Sequence, residues 1–96
     1  MLIFALKKQW YEKIKNGEKT IEYREVKDYW STRLYSTIRS LKQGKERHCY
    51  FQLGYKPETR IEAFITKIEI IDGQNTDLKT SGDVYAIHFK LREPEK

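Results

Sequence analysis

Short apolar and alternating blocks recur along this chain, and each of them predicts one β-strand. A continuous apolar run predicts a buried strand, whereas strict alternation predicts a strand with one face in the core. The last block alternates cleanly, because apolar side chains occupy every second position of residues 85–91. The blocks predict five strands, at residues 2–6, 20–26, 49–53, 60–71 and 84–91.

The block at residues 60–71 changes phase in its middle. Its apolar residues occupy odd positions as far as Ile65, whereas Ile68 and Ile70 occupy even positions. One extra residue would re-aim the strand, so we expect a β-bulge near residues 66–67 that curls the sheet.

Apolar residues at helical spacing predict two helices, at residues 7–16 and 28–43. In the first helix, Trp10 and Ile14 lie four positions apart on one face, and Gly17 follows as a stop signal. Asp28 is the expected N-cap of the second helix. The apolar stripe of that helix consists of Trp30, Leu34, Ile38 and Leu41.

Five strands and two helices in this order predict an α+β fold, either a curved sheet or a small β-barrel, with the helices near one opening. The sheet is expected to be mixed or mostly antiparallel. The polar residues 72–82 predict a loop before the last strand. A chain of 96 residues is expected to form one domain, over residues 1–96, with a small core that depends on its aromatic side chains.

Basic charge is concentrated in one half of the chain. Residues 1–54 hold twelve Lys or Arg and six Asp or Glu, whereas residues 55–96 hold seven and eight. The net charge of +5 therefore arises in the first half. A localised basic field favours an anionic partner such as nucleic acid, a nucleotide or an acidic membrane surface. The alternative is a solvated surface that only keeps the protein soluble.

The composition excludes several classes of protein. The single cysteine, Cys49, cannot form an intramolecular disulfide and is expected to be an inert core thiol. The glycines form no phosphate-binding loop, and the dispersed His48 and His88 offer no metal constellation, so we expect no cofactor and no metal. No segment approaches the ~20 apolar residues of a membrane span, and residues 2–6 are too short for a signal peptide. We therefore expect a cytoplasmic protein that binds no membrane.

One segment differs from an ordinary surface, because it leaves a helix at Gly17 and enters a strand. Glu22 and Arg24 share a face of that strand, about 7 Å apart, where they can share a ligand or a salt bridge. Lys19 lies at the mouth of the strand, where its ammonium can reach a phosphate or a carbonyl. Groups that stack a base and pair a phosphate follow, namely Tyr29, Trp30 and Arg33. The alternative is a solvated strand face, with Trp30 in the core.

The same segment resembles the opening signature of the ASCH domain family, part of the PUA-like superfamily. The resemblance is carried by Trp10-Tyr11, Ile14 and the string Gly17-Glu18-Lys19-Thr20-Ile21-Glu22-Tyr23-Arg24. The continuation is similar to a small single-domain branch found in bacteria and phages, through Tyr29-Trp30, Arg33-Leu34 and Phe51-x-x-Gly54-Tyr55.

This resemblance implies a PUA-like barrel with a cleft between barrel and helices that binds RNA or a modified nucleoside. Lys19, Glu22 and Arg24 would line that cleft. Its flanks or supports would be Tyr29, Trp30, Arg33 and Tyr55.

Some ASCH proteins are amidohydrolases that act on an acylated cytidine, and at least one is described as a ribonuclease. In the amidohydrolase pattern the lysine of Gly-x-Lys-Thr is the base, a threonine three residues later is the nucleophile, and a remote glutamate completes the site. Lys19 matches the lysine, but Glu22 stands at the nucleophile position and cannot replace a hydroxyl without a change of mechanism. The longer segment that bears the remote acid is also missing. A rearranged catalytic site would use Lys19, Thr20 and Glu22, with Thr20 expected on the same strand face as Glu22.

The sequence therefore predicts a module that binds RNA, a nucleotide or a modified nucleoside in a basic cleft. Lys19, Arg24 and Arg33 would contact phosphate, while Tyr29 or Trp30 would stack on a base. The alternative is a small amidohydrolase or ribonuclease-like enzyme acting on a modified nucleoside or RNA. A third reading is a protein-interaction or regulatory role, and the sequence indicates no oligomeric state.

Overall fold

The computed structural model describes residues 1–92 and contains the five strands and two helices that the sequence predicts. The strands are β1 (Ile3–Leu6), β2 (Ile21–Glu25), β3 (Arg47–Leu53), β4 (Ile61–Asp72) and β5 (Asp83–Leu91). The helices are α1 (Lys8–Lys15) and α2 (Asp28–Lys42). Observed and predicted ends differ by no more than about two residues, as is usual for element boundaries.

The strands form one mixed sheet in the order β1-β3-β4-β5-β2. β1 pairs in parallel with β3, and the other pairings are antiparallel. The curved sheet of the predicted α+β fold is confirmed, but the sheet does not close into a barrel, because β1 and β2 remain its two edges. A side chain spans the gap between these edges, since Arg24 on β2 donates from Nη2 to the Ala5 carbonyl on β1 at 3.2 Å.

The predicted β-bulge in β4 is confirmed by a register shift between Ile65 and Lys67. Before the shift Ile65 lies opposite Phe89, and after it Ile68 lies opposite Ile87. Paired residues of an antiparallel ladder point to the same face. The extra residue therefore keeps Ile68 packed against the core, whereas Ile70 further along the strand is 58% exposed.

Aromatic rings form the centre of the core, as expected for so short a chain. Phe51 lies between Phe4 and Phe89, with centroid distances of 5.5 and 4.5 Å. The helices contribute buried side chains over the same face of the sheet, namely Tyr11, Ile14 and Leu34.

The N-cap prediction for α2 is wrong by one residue. Lys27 occupies the N-cap position with an extended backbone and no side-chain cap, and Asp28 is the first helical residue. An acidic side chain is favourable at either position, because both lie at the positive end of the helix dipole. Composition alone therefore does not separate them.

The predicted loop occupies residues 73–82 and is closed at its base by Gly73. The Gly73 amide donates to the Gly82 carbonyl at 2.9 Å, and the Thr76 hydroxyl donates to the Gly73 carbonyl at 2.8 Å. A Cβ atom on Gly73 would lie 2.6 Å from the Gly82 carbonyl oxygen and 2.9 Å from Val84 Cγ1. Only glycine fits this close approach, which fixes how the loop leaves β4 and enters β5.

Replacement of Gly73 is therefore expected to destabilise the fold. Gly73→Ala forces the added Cβ against a backbone oxygen, and overpacking of this kind costs about 1–3 kcal/mol. Gly82→Ala is the matched control, because a Cβ there meets no atom within 4 Å. The control should be neutral or stabilising by up to about 1 kcal/mol. Urea unfolding measures both changes, and equal midpoints for the two variants would contradict the close approach at Gly73.

Candidate functional site

A cleft of about 600 Å³ opens beside the gap between the two edge strands. We call it the central cleft. Its walls come from β1, α1, β2, the start of α2 and the 73–82 loop. The side chains that give it chemical character are Trp10, Lys19, Glu22, Arg24, Tyr29, Trp30 and Asp77.

Glu22 lies at the centre of this group and is only 6% exposed. In the β2–β5 ladder Glu22 pairs with Ile87 and Arg24 pairs with Tyr85, so both charged side chains point to the core face. The Glu22 carboxylate accepts a hydrogen bond from Arg24 Nη2 at 2.8 Å and lies 3.5 Å from Lys19 Nζ. A solvated strand face is therefore excluded for Glu22, and its charge is compensated by two cations.

Lys19 is also buried, and its ammonium is enclosed on several sides. Asp77 of the 73–82 loop contacts Nζ directly, and the Glu22 carboxylate lies 3.5 Å from the same atom. The same Nζ lies 5.1 Å from the Trp10 ring centroid and 5.0 Å from that of Tyr23. A lysine ammonium offers donors only, so Lys19 can hold a carbonyl, phosphate or carboxylate oxygen in the cleft.

Sequence reasoning missed two site residues, Trp10, which it assigned only to the apolar face of the first helix, and Asp77. Asp77 lies on an irregular loop 58 positions from Lys19, and neither periodicity nor motif spacing indicates where such a loop packs. The loop is shorter than the segment that bears the remote acid in the amidohydrolase pattern, and it nevertheless brings a carboxylate to the lysine.

Arg24 packs against two aromatic rings that also stack on each other. Its Cζ lies 5.2 Å from the Phe4 centroid and 4.8 Å from the Trp30 centroid. Trp30 thus belongs to the core, where it stacks on Phe4, and also to the wall of the cleft. Within residues 1–92 the buried Arg24 Nε has no hydrogen-bond partner. An unsatisfied buried donor costs about 1–3 kcal/mol, so an acceptor that reached it would be favoured.

Tyr29 and Arg33 stand at the border of the central cleft. Tyr29 lines the cleft and packs edge-on against Trp30, with the centroids 5.0 Å apart. The Arg33 guanidinium stacks on Tyr29 at 3.4 Å and donates from Nη1 to the Tyr29 carbonyl at 2.9 Å. Arg33 itself lines a neighbouring cleft. The three cations expected at one phosphate therefore do not converge.

Two further predicted site residues lie elsewhere. Tyr55, expected as a flank or support of the cleft, is 94% exposed in the turn after β3 and does not line the central cleft. Thr20 is exposed and borders a smaller pocket of about 290 Å³ that shares Lys19 with the central cleft. It precedes β2, so strand alternation does not carry it to the buried face of Glu22.

The cysteine and the histidines do not line the central cleft. Cys49 is fully buried, and desolvation together with the nearby Glu22 charge raises the pKa of its thiol to about 12. His48 and His88 pair with Glu62 and Glu69, at 3.1 and 2.9 Å. The pKa values of both carboxyls lie below their usual range. The main cause is a hydrogen bond from Arg92 for Glu62 and from Lys67 for Glu69.

No family model matches the chain, and no curated protein or solved structure matches it significantly. The resemblance to the ASCH family therefore stays a prediction. None of the described helices is long and apolar enough to cross a membrane. Residues 1–92 contain no cluster of three or more His, Cys, Asp or Glu suited to a metal ion.

The buried position of Glu22 predicts a large effect of removing its charge. Glu22→Gln leaves Lys19 and Arg24 without their shared carboxylate, and breaking a buried pair costs roughly 3 kcal/mol. Glu25→Gln on the same strand is the matched control, because its partner Lys27 lies at 3.2 Å in an exposed pair. That change should cost less than about 1 kcal/mol. Denaturant unfolding compares the two, and equal losses would show that Glu22 is solvated.

Proposed function

We propose that the protein binds a nucleotide-sized unit of RNA, or a modified nucleoside, in the central cleft. The observation that carries the proposal is the convergence of Lys19, Glu22 and Arg24 with the rings of Trp10 and Trp30 around one cavity. A volume of about 600 Å³ is in the range of small-molecule sites, which combine apolar walls with a few placed polar groups.

The charges that line the cleft favour recognition of the base over recognition of a phosphate. The cations that line it are Lys7, Lys19, Arg24 and Lys27, and the carboxylates are Glu22, Glu25 and Asp77. These four positive and three negative groups nearly balance. A heterocyclic base offers both donors and acceptors along its edges, so it can use both kinds of group. The exposed ring of Tyr29 provides a surface on which a base can stack.

Tyr29 gives the sharpest test of this proposal. Stacking on one aromatic side chain contributes about 1–3 kcal/mol per base, so Tyr29→Ala should weaken binding by at least about fivefold. Tyr35→Ala is the matched control, since Tyr35 is also an exposed tyrosine of α2 beside an arginine, Arg39, but lies outside the cleft. Both tryptophans of the chain line the cleft, so their fluorescence reports binding directly.

The probes are the four ribonucleosides, their 5′-monophosphates and N4-acetylcytidine, titrated by fluorescence and by thermal shift. We expect one base to bind best and to raise the melting temperature by mass action. The affinity for a nucleoside should be nearly independent of salt, since a nucleoside carries no phosphate. If no probe changes the fluorescence, or if Tyr29→Ala and Tyr35→Ala behave alike, the cleft is not a base-binding site.

A hydrolase is the second candidate, and the contact between Asp77 and Lys19 favours it. That contact places a carboxylate beside the lysine, in the role of the remote acid of the amidohydrolase pattern. With an acylated cytidine in the cleft, Glu22 would take a proton from water as the water oxygen adds to the acyl carbon. Lys19 would donate a hydrogen bond to the carbonyl oxygen. The C–N bond would then break, and the proton held by Glu22 would pass to the released amine.

We nevertheless expect binding of N4-acetylcytidine without turnover, because the Glu22 carboxylate is already engaged by Arg24 and Lys19. Chromatography of the incubated nucleoside measures cytidine release. Release that is lost in Asp77→Asn, with the melting temperature unchanged, would overturn this expectation and establish the hydrolase. Asp83→Asn is the control, since Asp83 is an exposed acid outside the central cleft.

A further inference from the structure

A second cleft, of about 760 Å³, lies between α2 and the first residues of β1 and β3. Side chains that line it include Tyr29, Arg33, Thr37, Arg47, His48 and Tyr50. Tyr29 lines both clefts, so the two cavities adjoin at this one ring. The second cleft has no role in the function proposed above.

The charge of the second cleft differs from that of the central cleft. Among residues 1–92, Glu46 is the one carboxylate that lines the second cleft, and it pairs with Lys90 at 3.2 Å, which compensates its charge. Arg33 and Arg47 are exposed, and no lining carboxylate among residues 1–92 compensates their positive charge. In the central cleft, by contrast, Lys19 and Arg24 are paired directly with carboxylates.

Both arginines retain donors for a ligand. Arg33 uses Nη1 on the Tyr29 carbonyl, and Arg47 uses Nη1 on the Ser40 hydroxyl at 3.1 Å. A guanidinium carries five N–H donors in a planar fork that matches two oxygens of a phosphate. The second cleft therefore has the chemistry of a phosphodiester site.

Tyr29 and Arg33 form a ridge between the clefts that is suited to a nucleic-acid strand. Arg33 stacks on Tyr29, and Tyr29 packs edge-on against Trp30 of the central cleft. A chain that leaves the central cleft across this ridge passes an aromatic ring and a guanidinium, which stack bases and pair phosphates.

We propose that the second cleft holds the phosphate and the next nucleotide of the strand whose base occupies the central cleft. The preferred ligand is then a single-stranded oligonucleotide and not a free nucleoside. This inference rests on the proposed function, since it requires one nucleotide in the central cleft. The central cleft would recognise the base, and the second cleft would supply the phosphate contacts.

The experiment compares the four ribonucleoside 5′-monophosphates with the four homotrinucleotides at low salt. For the preferred base, the trinucleotide should bind at least about tenfold more tightly than the monophosphate, as one charge-assisted phosphate contact implies. Arg47→Ala should remove roughly that tenfold from the trinucleotide and leave the affinity of the corresponding nucleoside unchanged. It should also reduce the slope of log affinity against log salt by about 0.7.

Arg39→Ala is the matched control, because Arg39 is an exposed arginine of α2 that lines neither cleft. It should change neither affinity. If a monophosphate binds but its trinucleotide binds no more tightly, or if Arg47→Ala and Arg39→Ala are equivalent, the second-cleft inference is overturned while the proposed function stands. If no probe binds, both are overturned.

Discussion

The buried Glu22 carboxylate is the interaction on which the rest of this structure depends. The sheet leaves a gap between β1 and β2, and no backbone ladder joins these two strands. Arg24, fixed by Glu22, reaches across to the Ala5 carbonyl and packs against Phe4 and Trp30. A buried charge is costly unless it is paired and hydrogen-bonded. Here one carboxylate holds two cations, so the polar cluster that lines the cleft also connects the two edges of the sheet.

This dual role couples the 73–82 loop to the site. Asp77 and Glu22 both contact Lys19, and Asp77 can do so because the 73–82 loop brings its carboxylate to the cleft. The path of this loop depends on the close approach of Gly73 to Gly82 and Val84. A contact remote from any ligand therefore sets the position of a carboxylate in the cleft.

The sequence predicted the elements, the β4 bulge and the common face of Glu22 and Arg24, because each depends on local periodicity. It left open whether this face lines a cleft or meets solvent, because alternation gives only the relative direction of side chains. The contact of Asp77 with Lys19 and the exposure of Tyr55 were also beyond it, since both depend on how loops and turns pack in three dimensions. No spacing rule describes such packing.

The basic excess of residues 1–54 acquires a different meaning in three dimensions. Its most buried lysine, Lys19, is compensated by carboxylates, one of which comes from the acidic second half of the chain. Such short-range pairing weakens the field of the central cleft toward an anion. The arginines beside the second cleft keep their field because they are exposed and the carboxylate near them has another partner. Under the proposed function, selectivity for a base and attraction to a phosphate would therefore belong to two clefts that adjoin at Tyr29. Neither net charge nor motif spacing could have indicated that division.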